Sequence, residues 1–299
     1  MNLNQLELLG VLKETQYNQS KAAQKMNVVQ SAASRQLQLL EDELGAPLFE
    51  RYGKKLLGLT ALGERIMEEV ERINLSKLNI QAIADDFRDN RNGSLRIATT
   101  HTQAKYLLPE PIRLFRAKYP EFNISMVQSS PDNLIESLHH HHADIAICTE
   151  KLDEDEKLVV KSCYEWHHVA IVPKNHPLAL GEINLSKISQ YPILTYLPGF
   201  TGRSNIEKAF KNAGLPLNIT LSAADSDIIK TYVKLGLGVG IIASMAYDDQ
   251  TDTDLVEIDL THLIKRSVTK IAYLKQLYLP DYLQYFINEL IKQSSNLHL

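Results

Sequence analysis

The 299-residue chain has only two cysteines, Cys148 and Cys163. That is too few for a disulfide framework and fits a reducing compartment. No apolar run approaches the ~20 residues that a membrane span requires. The opening Met1-Asn2-Leu3-Asn4 is polar where a secretory signal would be basic and then apolar. A cytoplasmic protein with no membrane partner is therefore expected. Excess positive charge is also missing, because the formal net charge of −4 gives no global nucleic-acid signature. No nucleophile–base pair, carboxylate dyad or metal-ligand spacing can be assigned to a cleft, so no enzyme is expected. The run His139-His140-His141-His142 invites a metal, but consecutive side chains at a helix end point in different directions and no Cys or carboxylate cluster joins them. No metal site is expected. A hydrophobic content of 44% is enough for a real core, and the length suits two or three domains.

What is present concentrates at residues 20–63. Ser20 to Met26 predicts a short helix, Asn27-Val28-Val29 a break, and Gln30 to Glu41 the body of a second helix. The small pair Ala22-Ala23 lets the two approach closely. Leu37, Leu40 and Leu44 recur at helical spacing and predict a buried rear face. The front of the first turns carries Gln30, Ser31, Ser34 and Arg35, a surface suited to the DNA major groove. There Arg pairs with guanine edges and Gln with adenine edges. Taken alone, these residues fit an ordinary helical hairpin with a solvated face equally well.

Gly45 then stands where a left-handed helix cap is needed. Pro47-Leu48-Phe49, Arg51-Tyr52-Gly53-Lys54-Lys55 and Leu56 to Thr60 predict a hairpin with a basic tip, whose Arg51, Lys54 and Lys55 would reach phosphates. Residues 1–60 hold seven Lys and Arg against six acidic residues, but three of the acids sit together at Glu41-Asp42-Glu43, away from the DNA-facing end. Such weak charge suits modest monomer affinity, with specificity gained by an oligomer spanning several half-sites.

Thr60 can cap a long helix from Ala61 to about Phe87. Ile66, Ile73, Ile80 and Phe87 recur every seven residues, with Val70 and Ile83 beside them. A narrow apolar seam flanked by charge predicts helix pairing between subunits, with Ile66, Ile73 and Ile80 at its centre. The alternative is an amphipathic helix lying on its own domain. A charged, Asn-rich stretch closed by Gly93 reads as a hinge at 85–93. The expected division is 1–60, 61–92 and 93–299.

Beyond the hinge, strands and helices alternate. Strands are expected at 94–99, 123–128, 144–148, 166–172, 240–243 and 269–274, and helices at about 103–119, 131–139, 202–213, 225–235 and 282–292. This predicts an α/β arrangement of parallel sheets. Three strand-to-helix turns carry similar chemistry. They are Thr99-Thr100-His101-Thr102-Gln103, Phe200-Thr201-Gly202-Arg203-Ser204, and Thr149 beside Cys148. Hydroxyls and free N–H groups at such turns can grip an anion without a cation. Any one of them could equally be a plain N-cap. Together they point to one small anion.

The residues Ala22-Ala23, Gln30, Ser34-Arg35-Gln36-Leu37, Leu40-Glu41, Leu44-Gly45, Leu48-Phe49, Arg51, Leu59-Thr60 and Gly63 resemble the winged helix-turn-helix of LysR-type transcriptional regulators. Val29 departs from the Ser or Thr usual there, Ser31 from the common Pro, and Ala33 from a β-branched residue. The segments 97–104, 199–204, 227–233 and 235–246 resemble the CysB/Cbl subfamily, which controls sulfur assimilation and cysteine biosynthesis. The resemblance implies an all-α-rich winged helix-turn-helix, a long linker helix, and a two-lobed α/β effector domain like that of periplasmic binding proteins. Lobe I would span about 93–163 and 267–299, and lobe II about 164–266. It implies Thr100, Thr102, Gln103, Thr149, Thr201 and Gly202 as the effector site, holding a sulfate-like anion or O- or N-acetylserine. The implied partners are double-stranded promoter DNA, further copies of the chain as a homodimer or homotetramer, and RNA polymerase. A LysR-type regulator of another pathway sensing a different anion is the alternative. A cytoplasmic anion-binding module fits less of the chain.

Overall fold

The computed structural model describes residues 1–88, 92–200 and 202–294. The hinge expected at 85–93 therefore lies partly outside the described residues, as does Thr201. The chain forms two compact units, Met1–Asp89 with Gln276–Tyr278, and Asn90–Lys275 with Leu279–Leu299.

The first unit begins with α1 (Leu3–Glu14), α2 (Gln19–Lys25) and α3 (Gln30–Leu44). Asn2 and Gln5 close a reciprocal capping box at the start of α1. Asn18 accepts the Ser20 and Lys21 N–H groups to start α2. α3 ends at Gly45 in the left-handed conformation. Its rear packs Ala33, Leu37 and Leu40 against Leu8, Leu9 and Leu12 of α1 and the Ala22-Ala23 pair. Leu44 does not join them. It is 37% exposed, because the helix end has passed the core by that turn. The hairpin β1 (Phe49–Tyr52) and β2 (Lys55–Leu59) follows, with Gly53 at positive φ in its tip. α4 (Ala61–Phe87) starts at Thr60, whose hydroxyl accepts from Gly63 N–H at 3.0 Å. A β-carbon on Gly63 would lie 2.1 Å from the Leu48 carbonyl oxygen, so only glycine lets α4 approach the entry to the hairpin.

The second unit contains two five-stranded sheets. Its elements are β3 (Ser94–Thr99), α5 (His101–Tyr106), α6 (Pro109–Lys118), β4 (Asn123–Gln128), α7 (Pro131–His139), β5 (Ile145–Cys148) and β6 (Leu158–Trp166). They continue as β7 (His168–Pro173), α8 (Leu185–Ile188), β8 (Ile193–Tyr196), α9 (Arg203–Asn212), β9 (Ile219–Ala223) and α10 (Ser226–Lys234). The last are β10 (Val239–Ala243), β11 (Leu255–Asp259), β12 (Ser267–Leu274) and α11 (Asp281–Ser294). The strand orders are β4-β3-β5-β12-β6 and β11-β7-β10-β8-β9. The chain leaves the first sheet after Trp166 and returns to it at Ser267.

The sheets are mixed rather than parallel throughout. β3 runs parallel to β4 and β5, and β8 to β9 and β10. β12 is antiparallel to β5 and β6, and β7 to β10 and β11. The antiparallel members are the strands on either side of the two crossings between lobes, where no helix returns the chain to the same end of the sheet. The helix expected over 103–119 is two helices. Pro109 has no N–H to continue α5 and instead opens α6.

Sheet alternation gives lobe II a core on each face. Ala170, Ile193, Val239 and Ile241 pack with Ile206 and Phe210 of α9. Val169, Ile171, Leu194 and Ile242 pack with Ile229 and Val233 of α10. In lobe I every residue of β5 is buried, and Phe115 of α6 meets Phe286 of α11 edge-on at 5.7 Å. No described helix is long and apolar enough to cross a membrane.

Candidate functional site

In the first unit, an open groove of about 1210 Å³ runs between α3 and the hairpin. Gln30, Ser31, Ser34, Arg35, Arg51 and Lys54 all line it, while Lys55 lies beside Lys54 outside the lining. Four of these six residues are already tied to neighbours. Ser20 Oγ donates to Gln30 Oε1 at 3.1 Å, and Ser34 Oγ to Gln19 Oε1 at 2.6 Å. The Gln19 amide donates to the Lys54 carbonyl at 3.1 Å. Arg51 Nη2 donates to Glu41 Oε2 at 2.5 Å. Glu41 is buried, and its other oxygen accepts the Leu48 N–H at 2.8 Å. The carboxylate therefore pins the hairpin to α3 and draws Arg51 toward structure. Arg35, Lys54 and Lys55 remain exposed cations on this face. Val29 caps α3 without a side-chain hydrogen bond, and Asn27 does not replace it, being held at φ +55°.

The heptad residues of α4 divide. Met67 and Val70 are buried in the winged-helix core and Ile66 packs against it. From Ile73 onward the seam positions emerge, with Ile73 at 37%, Ile80 at 69%, Ile83 at 48% and Phe87 at 92% exposure, although Leu75 stays buried. The first turns thus lie on their own domain, and the remaining turns present an apolar stripe to solvent.

In the second unit, the β3–α5 turn holds buried polar groups that the protein itself does not pair. Thr100 is the N-cap residue of α5, yet its hydroxyl makes no capping bond and is buried without a partner. Gln103 is fully buried. Its Oε1 accepts from the Tyr164 hydroxyl at 2.8 Å, which leaves Nε2 as a buried donor without a partner. Thr102 is buried beside them, and on the other lobe the Tyr196 hydroxyl bonds Ser226 and the Ala243 N–H. Burial pushes that hydroxyl's pKa up against those bonds. Thr149 is also buried and makes no side-chain cap.

Gly202, the N-cap of α9, belongs to a second cluster. A β-carbon there would lie 2.1 Å from His168 Nε2 and 3.0 Å from the Trp166 ring. Trp166 and His168 pack with tilted rings, 4.9 Å between centroids. The Trp166 indole N–H and both His168 nitrogens are buried without partners. Burial, with His167 beside it, pushes the His168 pKa down to about 3, so the imidazole is neutral. The two clusters are linked through β6. Tyr164 and Trp166 are two residues apart on one strand, so they share a face and lie roughly 7 Å apart. Thr269, which faces Tyr164 across β6–β12, adds another buried hydroxyl. The result is a run of neutral donors at the junction of the two lobes.

The cation near this site is not aimed into it. Arg203 Nη1 donates to the Tyr196 carbonyl at 2.7 Å, and Nε to Glu207 at 2.7 Å. Cys148 is fully buried, and burial pushes the Cys163 thiol up to about 12. His139 Nε2 bonds Asp155 at 2.5 Å, within lobe I and apart from the donors above. No motif marks Tyr164, Trp166, His168 and Tyr196 in the sequence. The available signal was the alternation of Tyr164 and Trp166, bulky side chains with polar tips on one strand face.

Two family models match the chain. "Bacterial regulatory helix-turn-helix protein, lysR family" covers residues 3–64, and "LysR substrate binding domain" covers residues 88–295. The chain is 42% identical to the HTH-type transcriptional regulator SsuR of Burkholderia cenocepacia, over 94% of this chain and 92% of that one. It is 41% identical to the HTH-type transcriptional regulator CysB of Haemophilus influenzae, over 96% of this chain and 89% of that one. The crystal structure of the cofactor-binding domain of the Cbl transcriptional regulator superposes with a TM-score of 0.64 at 40% identity, covering 67% of this chain and 88% of that one.

Proposed function

The chain belongs to the LysR family of bacterial transcriptional regulators, and from that premise we propose that it controls sulfur-assimilation and cysteine-biosynthesis genes in response to a small sulfur-related effector. It is a regulator and not an enzyme. It binds promoter DNA as an oligomer and works with RNA polymerase in the cytoplasm. The likeness to SsuR, CysB and Cbl supports the sulfur pathway. We assign residues 1–60 to DNA binding, 61–92 to pairing and 93–299 to the effector.

The observation that carries the effector reading is the set of buried, neutral, partnerless donors at Thr100 and Gln103, with Trp166 and His168 on the same junction. Such groups destabilise a protein unless a ligand satisfies them. Donors without carboxylates suit a fully ionised oxyanion such as sulfate or the carboxylate of acetylserine. Thr102, Thr149, Thr201 and Gly202 complete the proposed grip.

On DNA, Arg35 would read a base edge while Lys54 and Lys55 contact phosphates. Arg35→Ala should reduce specific promoter affinity by roughly 1–3 kcal/mol. Mobility shift on promoter fragments of sulfur-assimilation genes, against an unrelated fragment, tests this. Wild-type binding that ignores sequence, or an Arg35→Ala protein with unchanged affinity, would remove the assignment.

A further inference from the structure

We propose that Val29 and Gln30 form a thymine-reading pair at the tip of α3, with Val29 against the 5-methyl group and Gln30 donating its amide N–H to O4. The proposal rests on the DNA-binding reading of α3 and adds a base identity to it.

Three observations support the assignment. First, Val29 occupies the N-cap in an extended conformation, φ −75° and ψ 146°, with no side-chain cap. A Ser or Thr there would accept an N–H of the first turn. Valine gives that up and leaves its branched side chain 69% exposed, with Val28 beside it at 44%. Second, the backbone that presents these valines is held. Val28 N–H donates to the Ala23 carbonyl at 3.0 Å, Asn27 N–H donates to the Gln24 carbonyl at 3.1 Å, and Asn27 is in the left-handed conformation. The apolar tip is therefore a fixed feature, positioned where the first residues of a recognition helix meet base edges. Third, Ser20 Oγ donates to Gln30 Oε1 at 3.1 Å. The Gln30 carbonyl already accepts one bond, so the NH₂ group is the freer part to face a base.

That last contact changes what Gln30 can read. Adenine needs both an acceptor and a donor from the amide. With one lone pair of its oxygen taken by Ser20, Gln30 offers its NH₂ more readily than its carbonyl, which suits thymine O4 or the guanine acceptors. Thymine alone carries an apolar group on its major-groove edge, beside O4. An exposed valine next to a donating amide matches that edge.

The test uses the full-length protein and a random double-stranded library. Wild type should enrich a thymine at one position of each half-site, and Val29→Ser should lose that preference. Deoxyuridine, which lacks only the methyl group, is then placed at the selected position. It should weaken wild type roughly fourfold, the equivalent of burying about one methylene, and leave Val29→Ser unchanged. Val29→Ser should melt no lower than wild type, because serine restores a cap. Identical consensus sequences for the two proteins, or the same deoxyuridine penalty in both, overturns the pair. A wild type that enriches no sequence overturns the DNA-binding reading and the pair with it. An enriched sequence without methyl dependence overturns the pair alone.

Discussion

Gly202 and His168 show how closely single residues define the lobe junction. Gly202 has φ +77°, a conformation that disfavours any side chain, and the space for its β-carbon is filled by the His168 ring. His168 is in turn buried, neutral and packed against the tilted Trp166 ring. Gly202→Ala therefore meets two separate costs, backbone strain and overlap with His168. Together they should destabilise the second unit by roughly 1–3 kcal/mol. The two can be separated by thermal melts in a double-mutant cycle with His168→Ala. The overlap should disappear in that background and the strain should remain. Equal losses in both backgrounds would show that the ring is not the obstacle. Glu41 makes a similar point in the first unit. By composition it is one of three adjacent acids on a solvated helix end, yet the structure uses it as the anchor of the hairpin.

Among elements, α4 is the one whose two ends have different surroundings. Its seam was read from a seven-residue repeat, and the repeat does not distinguish a side chain buried against its own domain from one kept for a partner. The structure does. Ile66 packs on the winged-helix core, while Ile80 is 69% exposed. A charge at Ile80 should thus leave the protomer folded and act on assembly alone. Ile80→Glu in a symmetric seam would bury two uncompensated carboxylates, at roughly 3 kcal/mol or more, on the order of a hundredfold in association. Sedimentation velocity across a concentration series reads this directly, and circular dichroism checks the fold. Unchanged assembly would move the interface elsewhere.

Periodicity was legible elsewhere for the same reason it was here. α3, α4, α7, α9, α10 and α11 carry strong helical patterns, and the expected ranges fall within a few residues of those observed. The strands β6, β8, β9 and β11 were not legible, because short strands in an α/β lobe have neither length nor clean alternation to mark them. The split between α5 and α6 was written in Pro109-Glu110-Pro111, and the apolar spacing on either side concealed it. Of the lobe-junction donors, the Thr and Gln residues on strand-to-helix turns could be found in sequence. Tyr164 and Trp166 left only their alternation as a signal and His168 none, because what brings them there is the crossing of the chain between sheets.

At the scale of the whole molecule, an effector matters only if occupancy of the lobe junction changes binding at a promoter. A ligand shifts a conformational equilibrium by no more than its differential affinity for the two states. Donors contributed from both lobes are a source of that difference, since an anion held between them favours the lobes together. Thr100 is the residue at which to test this, because its hydroxyl is buried and partnerless in the protein itself. Thr100→Val keeps the volume and removes only the donor. Without ligand the variant should be as stable as wild type or slightly more so, because an unsatisfied polar group has been removed from the interior. With sulfate or acetylserine the sign reverses. Loss of one hydrogen bond to a charged group should cost about 1.5–3 kcal/mol of binding free energy, roughly a tenfold or greater weakening by calorimetry. Ligand-dependent change in promoter affinity should shrink in step. A residue that served only the fold would lower the melting temperature of the free protein and leave the affinity of the remaining folded molecules intact. Equal affinities of the two proteins for sulfate and for acetylserine would place the effector elsewhere.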